Sequence, residues 1–265
     1  MPESHFLEIY IVIFVGLMLG SFATALSWRV ARNQSWITGR SRCSSCNTAL
    51  GFFDLVPLAS WLAFRGRCRH CKAPIGVRYP LIEACVLACC VAAYCAWGFT
   101  VQAFLVIAAI PFLVAMLVID LEQMILPDSL QGIVAALGFA FVLIQAFMMV
   151  SVTGEAPIAN IFLHICSGLG FASVVWIAGR IVSFLKKKEA LGFGDVKFYA
   201  IAGLWLGGQW LAAFMVFSGI AGLVCGLAWR LKRPDRRFPF GPALILAFYT
   251  CLLLQGAGVK PFFGL

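Results

Sequence analysis

Residues 101–119 read VQAFLVIAAIPFLVAMLVI, nineteen positions without a charge, and they stop at Asp120 in the connection DLEQMILPDS (120–129). A run of that length matches what a helix needs to cross hydrocarbon, about 20 residues. Working outward, further apolar runs lie near 6–28, 81–99, 130–150, 158–184, 197–207, 210–229 and 241–257, separated by short polar or Gly/Pro-bearing connections. The whole chain agrees with them. Of its 265 residues 62% are hydrophobic and 12% charged, and mean hydropathy is +0.96, whereas a soluble globular chain is about 25% charged. A water-soluble globule is excluded, and 24 Phe with 8 Trp exclude a disordered chain. The expectation is an all-α polytopic membrane protein with about eight transmembrane helices. The first run has no basic residue before it and continues to Trp28, so it reads as a retained helix rather than a cleaved signal.

Lys and Arg orient the chain, because positive charge accumulates in cytoplasmic loops near span ends. With the N terminus outside, segments 29–80, 120–129, 180–197 and 230–240 fall inside and carry 9, 0, 5 and 5 basic residues. That is 19 of the 20, with only Lys260 on the other side. Both termini are therefore expected outside. The net charge of +9 is the footprint of loops against an anionic inner leaflet and calls for no nucleic-acid partner. GLMLG (16–20), GLWLG (203–207) and GLVCG (222–226) read as small-xxx-small packing seams. No internal repeat is evident.

Seven of the eleven Cys lie in apolar runs, where a thiol behaves as a small hydrophobe. The other four, Cys43, Cys46, Cys68 and Cys71, form two Cys-x-x-Cys pairs in CSSCNTALGFFDLVPLASWLAFRGRCRHC (43–71). This is the spacing of two knuckles around one tetrahedral metal, and the charge count puts the loop in a reducing compartment. Structural zinc held by the four Cys is the expectation, stapling a loop too small for a large core of its own. A redox dithiol would explain one pair but not two. His70, inside the second knuckle, reads as a surface or supporting residue, since four Cys already close the site. Asp54 reads as a partner for a neighbouring Arg. The expected divisions are 1–28, the first transmembrane helix; 29–80, the cytoplasmic zinc-binding loop domain; and 81–265, the remaining membrane domain.

Ionisable groups at membrane depth are functional hypotheses. Asp120 sits at the cytoplasmic mouth of its run and opposes the helix dipole there. Asp195, in LGFGDVKFYA, follows Gly192 and Gly194 at the start of another run on the same face. Asp195 can instead be a helix N-cap, and Asp128, after Pro127, reads as one. Two carboxylates in one partly desolvated site share a proton, so that one acts on water as base and the other on a carbonyl as acid. The chain has no Walker loop, H-E-x-x-H or G-x-S-x-G. Paired carboxylates can also serve a proton- or cation-coupled transporter, and a membrane-anchored zinc ribbon can bind nucleic acid.

LGSF (19–22) with Arg29, the two Cys pairs, DLVPLASWL (54–62), RGRCRHCKAPI (65–75), RYPLIE (78–83), IDLEQMILPD (119–128), GFGDVK (192–197) and PFGPA (239–243) occur in order along most of the chain. Together they resemble the type IV prepilin peptidases, polytopic aspartic proteases of the bacterial inner membrane. The resemblance implies that Asp120 and Asp195 are catalytic, with Gly192 and Gly194 in the catalytic loop. It also implies removal, on the cytoplasmic side, of a short basic leader from prepilins or type II secretion pseudopilins. Many members then methylate the new N terminus with S-adenosylmethionine, whose binding residues the motifs do not place.

Overall fold

The structure, a computed structural model, describes residues 2–153, 157–187, 191–232 and 238–261. It is helical: α1 (Pro2–Val30), α2 (Ala59–Ala63), α3 (Arg78–Trp97), α4 (Val101–Gln123), α5 (Asp128–Thr153), α6 (Pro157–Lys186), α7 (Phe193–Leu206), α8 (Leu211–Lys232) and α9 (Gly241–Gly256). The eight apolar runs correspond to the eight long helices, and the cysteine loop supplies short α2. Boundaries follow local chemistry. Thr100 caps α4 by accepting the Ala103 N–H, and α4 ends where Met124 turns left-handed at φ 58°. Gly98 at φ 64° and Gly207 at φ 77° end α3 and α7, conformations open to glycine without strain.

Among the described residues, six helices are long and apolar enough to cross a membrane, not eight. The two shorter ones, α7 and α9, have 14 and 16 residues, about 21 and 24 Å of helix. The reason for the difference is their surroundings. Trp205, Phe198, Leu206, Leu244, Phe248 and Leu252 are fully buried, so α7 and α9 are lined by protein, and a helix end sheathed in protein need not match the bilayer. His164 of α6, itself buried, accepts this arrangement by donating Nδ1–H to the Leu204 carbonyl at 2.8 Å, near the α7 end.

α4 forms the centre, with α1, α3, α5 and α9 against it, while α6 lies along α7. The aromatic core runs through Phe141, Trp205, Phe248 and Phe198. Two of the three small-residue seams bring helices close. A Cβ at Gly20 would come within 2.9 Å of Glu83 Cα on α3, and one at Gly203 within 2.8 Å of Gly168 Cα on α6. The third serves a loop instead: Gly222 leaves room for the Phe240 ring.

Residues 31–77 form a module between α1 and α3. Trp36 tucks its ring edge-on against Phe22 of α1 and Phe112 of α4. The module is also fastened by Glu83, whose carboxylate accepts the Leu58 N–H at 2.7 Å. Leu58 sits at φ 59°, a costly position for a branched side chain, and this hydrogen bond helps to hold it.

Candidate active site and metal centre

The four cysteines come together. Their sulfurs all lie within 4.8 Å of one another, Cys43 and Cys71 at 3.9 Å, and none is in a disulfide. Tetrahedral zinc at about 2.3 Å from each sulfur puts the sulfurs about 3.8 Å apart, so the donor set fits. The two knuckles read from the Cys spacing share one backbone geometry. The Cys43 N–H bonds the Thr48 carbonyl as the Cys68 N–H bonds that of Ala73, and Asn47 and Lys72 donate N–H to the Cys43 and Cys68 carbonyls. Asn47 and Lys72 both turn left-handed, at 56° and 58°, and bridges Arg42–Ala49 and Arg67–Pro74 close the two knuckles. The repeat is one of backbone geometry, carried by few identical side chains, which hides it in the letters.

The Thr48 hydroxyl and backbone N–H lower the Cys46 thiol to about 6. Backbone N–H groups of Cys71 and His70 lower Cys68 as well. Cys71 is pushed up to about 11: the Ala73 N–H lowers it, but desolvation and the three neighbouring thiols outweigh that. A cluster that cannot hold four bare thiolates is one that a dication stabilises. His70 is not among the four converging ligands. Its Nε2 lies 3.9 Å from Asp54 Oδ2, and Asp54 also accepts the Gly51 N–H at 2.9 Å. Asp54 thus pairs with a histidine rather than with an Arg.

Asp120 and Asp195 line one cleft of ≈ 1250 Å³. Asp120 lies in the last turn of α4 and is 5% exposed. Its unfavourable place at a helix C terminus is offset by a second helix: Oδ2 accepts the N–H of Gly241, the first residue of α9, at 2.9 Å. A Cβ at 241 would lie 2.6 Å from Asp120 Oδ2, so any larger residue there would have to push the carboxylate aside. Asp195 is half-buried in the first turn of α7, where a carboxylate suits the dipole, and it lines the same cleft as Asp120.

The N-cap of α7 is Gly192, so Asp195 is not the cap. Gly192 has φ −72° and Gly194 is likewise outside the left-handed region. Their contribution is space. A Cβ on Gly192 would stand 3.3 Å from Asp195 Oδ2, and one on Gly194 3.4 Å from Leu126 Cβ. The cap expected of Asp128 is instead an ion pair, with both carboxylate oxygens 2.8 Å from Lys197 Nζ of α7. Met124, Ile125, Leu126, Leu191, Phe238 and Phe240 give the cleft an apolar lining.

Gly241 and Lys197 are the site residues that sequence reasoning passed over. Both lie in motifs singled out above, PFGPA and GFGDVK, but 121 residues separate Gly241 from the carboxylate it holds. A second polar tie closes the same end of the bundle, Arg78 bonding Glu122 at 2.6 Å and Ser27 at 3.1 Å.

Residues 14–99 match the family described as the Bacterial Peptidase A24 N-terminal domain, and residues 107–227 match the Type IV leader peptidase family. Among curated relatives, a prepilin leader peptidase/N-methyltransferase of Aeromonas hydrophila is 36% identical over 81% of this chain and 71% of its own length. One of the same name from Legionella pneumophila is 32% identical over 78% and 70%. A type 4 prepilin-like proteins leader peptide-processing enzyme of Escherichia coli is 32% identical over 91% of each chain. No solved structure matches the chain.

Proposed function

The chain belongs to the type IV leader peptidase family, and from that premise we propose that Asp120 and Asp195 are the catalytic pair of a membrane aspartic endopeptidase that processes prepilins. The single observation that carries the assignment is that two carboxylates, 75 positions apart in the sequence, line one cleft where α4, α7 and α9 meet. The family match leaves the transporter reading without support.

In such a pair one proton serves two carboxylates. The ionised one takes a proton from water, the water oxygen bonds to the scissile carbonyl carbon, and the protonated partner donates to the carbonyl oxygen. When the C–N bond breaks, the leaving nitrogen takes up a proton, giving a leader with a new carboxylate and a mature chain with a new amine. The Gly241 N–H fixes the Asp120 carboxylate for this, and the apolar walls limit competing water. A glycine-lined entrance at 192 and 194 lets an extended substrate backbone approach Asp195.

We place the cleft at the cytoplasmic face of the bacterial inner membrane on the Lys/Arg asymmetry, with a basic prepilin or pseudopilin leader as its substrate. Cys43, Cys46, Cys68 and Cys71 hold a structural zinc that takes no part in the chemistry. The module they staple, 29–80, forms a domain between the first helix, 1–28, and the membrane domain, 81–265. The paired activity in the relatives' names makes this chain an N-methyltransferase too. S-adenosylmethionine would supply the methyl group to the new amine, and no residue here is assigned to it. The test is to mix purified protein with a prepilin and weigh both products by mass spectrometry. A leader and a mature chain whose masses sum to precursor plus one water support the reading; an uncut precursor under conditions where a relative cuts it refutes it.

A further inference from the structure

The cysteine module carries surface chemistry that neither the zinc site nor the dyad uses. Arg65, Arg67, Arg69 and Lys72 line one cleft of ≈ 500 Å³ on the second knuckle, and among the described residues none of the four is in an ion pair. Arg65 and Lys72 hold left-handed backbone, at φ 51° and 58°, on either side of the second knuckle. Leu62 is 68% exposed beside the cleft-lining Ala63, and Phe52 and Phe53 are 79% and 72% exposed. The Asp54–His70 contact sets Phe52 and Phe53 beside this knuckle. On the membrane helices exposed apolar residues meet lipid tails, but a module outside the spans has no such excuse.

We propose that the module docks on the anionic headgroup surface of its own membrane, the four cations binding lipid phosphates while Phe52, Phe53 and Leu62 enter the interface. Three observations select this occupant. The module begins at the end of α1 and finishes at the start of α3, two helices packed along each other, so both its ends emerge from the bilayer together. The Glu83–Leu58 hydrogen bond keeps it close to that surface. Its charge complements anionic lipid and repels a basic leader, and a basic cleft on a module that also exposes Phe52, Phe53 and Leu62 is the pattern of an interfacial anchor. The proposal rests on the helices being membrane spans and not on the dyad, so either can fail without the other.

The test is hydrogen–deuterium exchange of the full chain in nanodiscs of phosphatidylcholine, with and without phosphatidylglycerol. Amides of 50–56 and 61–73 are expected to exchange at least about threefold more slowly in the anionic discs. High salt on the unaltered protein should remove the difference, as should the combined Arg65→Gln, Arg67→Gln and Arg69→Gln variant, which in neutral discs should exchange as the unaltered chain does. The corresponding Arg→Lys variant should keep it. Prepilin cleavage in detergent is a separate readout that the variant should leave unchanged. Equal exchange in both discs overturns the proposal. So does protection by inorganic phosphate in neutral discs, or protection that appears only when prepilin is added.

Discussion

A methyl group at position 241 would collide with the Asp120 carboxylate, since its carbon would lie 2.6 Å from Oδ2 and 2.8 Å from Cγ. On the proposed role of Asp120 the collision displaces the catalytic carboxylate by a fraction of an ångström, and small misplacements are costly in rate. Gly241→Ala is therefore expected to lower prepilin cleavage by about a hundredfold while leaving expression and membrane insertion near normal, as measured by initial rates on equal amounts of folded protein. Asp128 provides the contrast. Its pair with Lys197 is open to solvent, the side chains being 71% and 39% exposed, so it contributes about 0.2–1 kcal/mol. Asp128→Asn is expected to keep cleavage within about threefold of the unaltered rate, with the difference shrinking in high salt. The two acids Asp120 and Asp195 were legible because one ends an apolar run and the other directly precedes one. Their supports were not. A glycine reads the same whether it closes a turn or makes room for a carboxylate 121 residues away, and Asp128 at a helix start reads as a cap until Lys197 is placed opposite it.

At the scale of elements, pattern and packing divide the same way. Continuous apolar runs located every long helix, because burial in lipid leaves a signal in each residue. They could not show that α7 and α9 are shorter than the other helices, because a short apolar helix packed inside protein has the same composition as a longer one. The cysteine spacing pointed to the four candidate ligands but not to the shared backbone geometry that brings them together. With the four sulfurs within 4.8 Å, metal analysis should give about one zinc per chain, and Cys68→Ser should abolish it. Because the four ligands close the coordination shell, chelation is expected to make residues 41–76 accessible to protease and to slow cleavage indirectly. Full zinc occupancy in Cys68→Ser would exclude the ligand set.

For the whole molecule, the asymmetry of basic residues constrains the path of the chain. If α7 did not count as a crossing, α8 would deliver the basic segment 230–240 to the outer face, against the distribution that places 19 of 20 basic residues inside. Gly154, where an external fusion is expected from the sequence, lies outside the described residues. A fusion after Trp97 should report as external, and fusions after Lys187 and Arg230 as cytoplasmic. An external signal at Arg230 would mean that α7 enters the membrane without crossing it.

The same bundle brings α4, α7 and α9 together around two acids, and the catalytic role of those acids is the centre of the account. The most direct measurement is cleavage of a prepilin by Asp120→Asn and Asp195→Asn, each expressed, inserted and folded at the level of the unaltered chain. Asn keeps the size and hydrogen-bonding capacity of the side chain but cannot exchange a proton at neutral pH. Cleavage should fall below detection in both variants. Cleavage by Asp195→Asn at a rate near that of the unaltered protein would contradict the account.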